Sequence, residues 1–178
     1  MNKEHLNIII PALPRPTLKE VGANASYITS IKSDTSPIEA VTLELCTVLK
    51  EDEEYTNGEE YESRIASLPV LGYQQAAWLV ENQDKFPELL ALLGKIYIDF
   101  PATVVLSSDG NRSIPYLLQG GNRWDLRWLW LWIGNDFDRD GRIAVSSKFS
   151  DSRVYDSLES RVLALEEFKE KVEKVIKV

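Results

Sequence analysis

A chain of 178 residues, 44% of them hydrophobic, is long enough for one self-sufficient core, so folding needs neither a metal nor a disulfide. A single cysteine, Cys46, excludes an internal disulfide and a cysteine-rich zinc site, and a single histidine, His5, near a chain end, is a poor basis for a Ser-His-Asp triad. The net charge of −8 argues against direct nucleic-acid binding, and no apolar run approaches the length of a bilayer span. A cytoplasmic protein without nucleic-acid or membrane partners is therefore expected. The apolar run from Leu6 to Ile10 is too short for a signal-peptide core and prolines follow it.

Residues 6–10 suit a short buried strand. The prolines of PALPRP then fix an extended connector, so residues 1–16 form an extended N-terminal segment. Alternation predicts strands over 25–32 and 40–50. In the second, Val41, Leu43, Leu45, Thr47 and Leu49 share a face, and Cys46 lies on the other as a small packed residue.

The segment EDEEYTNGEEYE carries seven acids and no base, and leaves the rest of the chain close to neutral. It suits a solvated loop entering a helix. It also suits a decoy that occupies the basic groove of a nucleic-acid-binding enzyme. Helices are expected over 59–67, over 73–82 and from Asp84. The second places Tyr73, Ala76, Ala77 and Val80 at i, i+3, i+4 and i+7. The third tolerates Pro87 in its first turn and stops at Gly94. Residues 97–100 return to extended structure.

Residues 102–147 predict an antiparallel β-meander. ATVVLS, SIPYLL, WDLRWLWLWI and RIAVSS are strands, separated by SDGN, QGGN and NDFDRDG. Pro115 removes a ladder donor, so the sheet should be interrupted there. The final helix, 154–178, is capped by Asp156 and carries an apolar stripe through Leu158, Val162, Leu165, Val172 and Ile176. The expected fold is α+β and a single domain, 1–178. It is an antiparallel, largely meandering sheet with the central and C-terminal helices packed on one face.

Two features concentrate chemistry. Strand geometry puts Trp124, Trp128, Trp130 and Trp132 on one face, and Asp125, Arg127, Leu129, Leu131 and Ile133 on the other. Such a row is either core, because both faces are apolar, or an exposed platform for a protein or a sugar ring. NDFDRDGRI resembles the front half of an EF-hand-type calcium loop: Asp136, Asp138 and Asp140 stand at positions 1, 3 and 5, Gly141 at 6 and Ile143 at 8. Ser147 replaces the bidentate glutamate and Ala144 stands at position 9, so the resemblance covers the loop only. The alternative is a polar turn whose Asp side chains bond their own backbone. In a meander, SDGN and NDFDRDG lie at the same end of the sheet, about 10 Å apart, which makes Asp109 the candidate fourth ligand.

Asp99, Asp109, Asp125 and Asp136 are the carboxylates available for a hydrolytic pair. The chain has no phosphate-binding glycine loop, metalloprotease helix motif or dinucleotide fingerprint. The expected function is thus a non-enzymatic interaction protein whose partner is another protein, with self-association left open. Trp128, Trp130 and Trp132, flanked by Arg127, or the acidic segment would make the contact. Calcium is the one cofactor suggested. A calcium- or carbohydrate-binding module and the acidic decoy are the alternatives.

Overall fold

The computed structural model describes residues 3–23, 25–131 and 136–147. The expected 154–178 helix, Trp132 and Ile133 lie outside the described residues. The elements run β1 (Lys3–Ile10), α1 (Leu18–Gly22), β2 (Ile28–Asp34), β3 (Val41–Cys46), β4 (Tyr55–Asn57), α2 (Gly58–Ile65), α3 (Tyr73–Asn82), a 3-10 turn (Gln83–Lys85) and α4 (Pro87–Leu90). They continue with β5 (Tyr97–Asp99), β6 (Thr103–Ser107), β7 (Arg112–Gly120), β8 (Arg123–Trp130), β9 (Asp136–Asp138) and β10 (Gly141–Ser147). The protein is mainly sheet with few helices. No helix among the described residues is long and apolar enough to cross a membrane.

Eight strands form one mixed, mostly antiparallel sheet in the order β1-β3-β10-β5-β7-β6-β2, with β8 paired to β7. The expected meander holds for β6, β7 and β8. Glycines at positive φ, Gly110 and Gly121, make the two tight turns that join them. It fails for the last strand. β10 does not return beside β8; it inserts between β3, antiparallel, and β5, parallel. The reason is burial. Ile143, Ala144 and Val145 are all nearly inaccessible, and a strand apolar on both faces gains most in the middle of a sheet. Among the described residues β8 pairs with β7 alone, so the tryptophan strand lies at a sheet edge.

Pro115 sits inside β7 without breaking it. Along one edge of β7, β6 pairs with Arg112 and Ser113 and β5 with Tyr116 and Leu117. Pro115 falls at the join, where its carbonyl accepts from Phe100 N–H (2.9 Å) and no ladder donor is needed.

Adjacent residues of a strand feed opposite faces. Leu45, Ile98 and Ala144 belong to a cluster with Ala76 and Leu79 of α3 and Leu89 of α4. Their neighbours Cys46 and Ile143 belong to another, with Tyr61 of α2 and Phe137 of β9. Residues of α3 and α4 thus belong to one cluster and Tyr61 of α2 to the other. In α3 the buried residues are Gln75, Ala76 and Leu79, a stripe rotated from the expected one. Gln75 tolerates burial because Oε1 accepts from Gly72 N–H (3.0 Å) and Nε2 donates to the Pro37 carbonyl (2.8 Å).

Candidate functional site

The tryptophan row grades from core to surface along β8. Trp124 is 1% exposed, and its indole N–H donates to the Leu89 carbonyl (3.0 Å). Its backbone N–H, on the edge strand, is satisfied by the buried Gln83 side chain (2.7 Å) instead of another strand. Trp128 is half-buried and stacks on Tyr73, with ring centroids 5.7 Å apart. Trp130 is 53% exposed. Beside it, Asn111, Arg112 and Leu131 line a groove of about 200 Å³. The Arg112 guanidinium is oriented by a two-point ion pair with Glu62, whose second contact is 3.0 Å. Arg127 is exposed, pairs with Asp125 (3.3 Å) and is offset by one residue from the tryptophan face. Among the described tryptophans of the row, Trp130 alone is more than half exposed.

The NDFDRDG carboxylates do not converge. Asp136, Phe137 and Asp138 are a strand, β9, paired with β4, so the two aspartates flank a buried Phe137 and point outward. Asp138 Oδ1 accepts from Asp140 N–H (3.0 Å), the polar-turn arrangement in which an Asp side chain bonds its own backbone. Arg139 donates to the Glu53 carbonyl (3.0 Å) and Arg142 to the Arg139 carbonyl (2.7 Å). Gly141 is not there for a left-handed bend. The Tyr97 hydroxyl would lie 2.7 Å from a Cβ at this position. Asp109 is turned into its own loop, where Ser107 and Asn111 donate to it. Since β10 leaves β8, the reason for placing SDGN beside NDFDRDG is gone. Among the described residues no group of three or more His, Cys, Asp or Glu is arranged to hold a metal.

The acidic segment is distributed over a turn, β4 and the first turns of α2. Asn57 caps α2 by accepting from Glu60 N–H (2.9 Å), and Glu59 and Glu60 face the positive end of its dipole. Glu53 and Glu60 both pair with Arg64, and Glu62 with Arg112. The Arg64 hydrogen bonds hold the Glu53 carboxyl down to about 2.

The most unusual environment belongs to Asp99, on the central strand β5. It is 1% exposed. Oδ2 accepts from the Tyr61 hydroxyl (3.1 Å), and among the described residues Oδ1 has no hydrogen-bond partner. Burial pushes its carboxyl up to about 8, the Tyr61 bond opposes this, and the Asp138 charge adds to it. Burial and the neighbouring Asp99 likewise raise the Tyr61 and Tyr97 hydroxyls. Tyr61 stacks on Phe137 at 3.9 Å. In the sequence this residue stands out only as an acid in an otherwise apolar run, Tyr97 to Phe100, where it counted merely as an available carboxylate. Neither Asp109 nor Asp125 pairs with it. No protein-family model, no curated protein and no solved structure matches the chain.

Proposed function

We propose that the chain is a non-enzymatic, cytoplasmic interaction module that binds another protein through the Trp130 end of β8. The observation that carries this reading is the solvent-exposed face of Trp130 at a groove shared with Arg112, Asn111 and Leu131. An aromatic ring and an arginine around a small apolar seat are the residue types that dominate the energy of protein contacts. The groove, about 200 Å³, is smaller than the pockets that enclose small ligands, roughly 300–1,000 Å³. A partner side chain suits it better than a buried metabolite. The decoy reading is weaker, because Glu53, Glu60 and Glu62 are already paired with arginines of the same chain.

Affinity capture with the immobilised full chain tests the proposal. Proteins retained by the wild type should be lost with Trp130→Ala and with Arg112→Ala, and kept with Ile38→Ala, which removes an equally exposed residue elsewhere. Retention unaffected by Trp130→Ala contradicts it. A second reading, stacking of a sugar ring on Trp130, draws support from the adjacent Asn111 and Arg112 donors. It requires saturable quenching of the indole by soluble oligosaccharides.

A further inference from the structure

We propose that Asp99 is a proton-held latch that fastens a cap, formed by β4, α2 and β9, onto the main sheet, and that loss of its proton releases the cap.

The cap differs from the rest of the molecule in how it is attached. β4 and β9 make a two-stranded ribbon separate from the eight-stranded sheet, and α2 follows β4 directly. Side chains therefore join the cap to the sheet: Tyr61 to Asp99 (3.1 Å), Glu62 to Arg112 (3.0 Å), and Asp138 N–H to the Tyr97 hydroxyl (3.3 Å). Packing of Tyr61 and Phe137 on Cys46, Ile114 and Ile143 completes the contact. Elements held by few backbone bonds open at lower free energy than the body of a sheet.

Asp99 meets this cap at Tyr61. As a neutral acid it fits an apolar seat. As a carboxylate it has, among the described residues, one donor, Tyr61 on Oδ2, and none on Oδ1, where a buried charge requires several. The described groups around it add no positive charge. Asp138, on β9, acts on it as a like charge. Tyr61 comes from α2, Tyr97 from β5 itself, and Tyr116 from β7 at the paired position. On the other side Ile143 of β10 is apolar, and Cys46 of β3 lies beyond it. Lifting the cap admits water to the carboxyl, which then releases its proton to solvent. Closing takes one proton up. This latch operates whether or not Trp130 binds a partner.

Amide hydrogen exchange of the full chain, corrected for intrinsic rates, between about pH 5 and about pH 9 tests it. The opening constant of cap amides in α2, β4 and β9 should rise about tenfold per pH unit, then level near pH 8, while α3 amides stay flat. Asp99→Asn should abolish the rise. Tyr61→Phe keeps the carboxyl but removes its donor, so levelling should move to higher pH; this variant decides the matter if Asp99→Asn fails to fold. Cap opening independent of pH overturns the proposal. So does an equal rise in α3, an unchanged slope in Asp99→Asn, or levelling at the same or lower pH in Tyr61→Phe.

Discussion

The Tyr61 hydroxyl donates to Asp99 Oδ2 across 3.1 Å, and neither side chain touches solvent. A helix of the acidic segment and the central strand of the sheet are thus joined at a buried acid. The consequence for stability has a definite sign. In the unfolded chain Asp99 ionises near 4, whereas in the folded chain it keeps its proton up to about 8. Within that window the native state binds the extra proton, so its contribution is complete below the window and is lost as pH rises through it. Unfolding by urea should show a loss of roughly 1.4 kcal/mol per pH unit at the steepest. Asp99→Asn should flatten that slope. An equal slope in the variant would mean that other groups carry it.

The tryptophan row supplies a contrast within one strand. Trp124→Ala removes a buried indole and its bond to the Leu89 carbonyl, and should cost about 3–5 kcal/mol. Trp130→Ala removes a ring that is half in solvent and should cost less than about 1 kcal/mol. Denaturant midpoints of the two variants compare them directly. Equal costs would contradict the gradient from core to surface.

Gly141→Ala should destabilise by about 1–3 kcal/mol, because the new methyl would meet the Tyr97 ring at 2.7 to 3.1 Å. The cost should shrink in a Tyr97→Ala background, a coupling that a double-mutant cycle reads. Additive costs would assign the glycine to backbone geometry instead.

Calcium at sub-millimolar concentration should leave the thermal midpoint and the tryptophan fluorescence unchanged, relative to a chelator control. The outward aspartates of β9 and the internally bonded turn offer no convergent ligand set among the described residues. A saturable shift lost in Asp138→Ala would reverse this assignment.

Local rules were legible in the sequence where a few neighbouring residues decide the conformation. Helix α3 spans the expected Tyr73–Asn82, and Gly94, Gly110 and Gly121 adopt positive φ at turns read from their sequences, whereas the helix expected from Asp84 to Gly94 is a 3-10 turn followed by the four-residue α4 that Pro87 opens. What was not legible depends on partners distant in the chain. The apolar run Ile143–Val145 suits any buried strand, and only the completed core places it beside β3, about a hundred residues earlier. The aspartates from Asp136 to Asp140 were ambiguous because alternating acids suit both a calcium loop and an exposed strand whose middle residue, Phe137, is buried. The aromatic row was ambiguous because both readings hold at once, Trp124 in the core and Trp130 at the surface. Asp99 could have been singled out, since a lone acid between Ile98 and Phe100 in an extended segment must either reach water or be neutralised.

Photo-crosslinking from a reactive side chain placed at Asn111, with Trp130 intact and replaced by alanine, tests the proposed interface most directly. Asn111 lines the groove without supplying its aromatic anchor. A discrete protein adduct that disappears with Trp130→Ala is the expected result. An adduct pattern indifferent to Trp130, or no protein adduct at all, would contradict a partner-binding role for this end of β8.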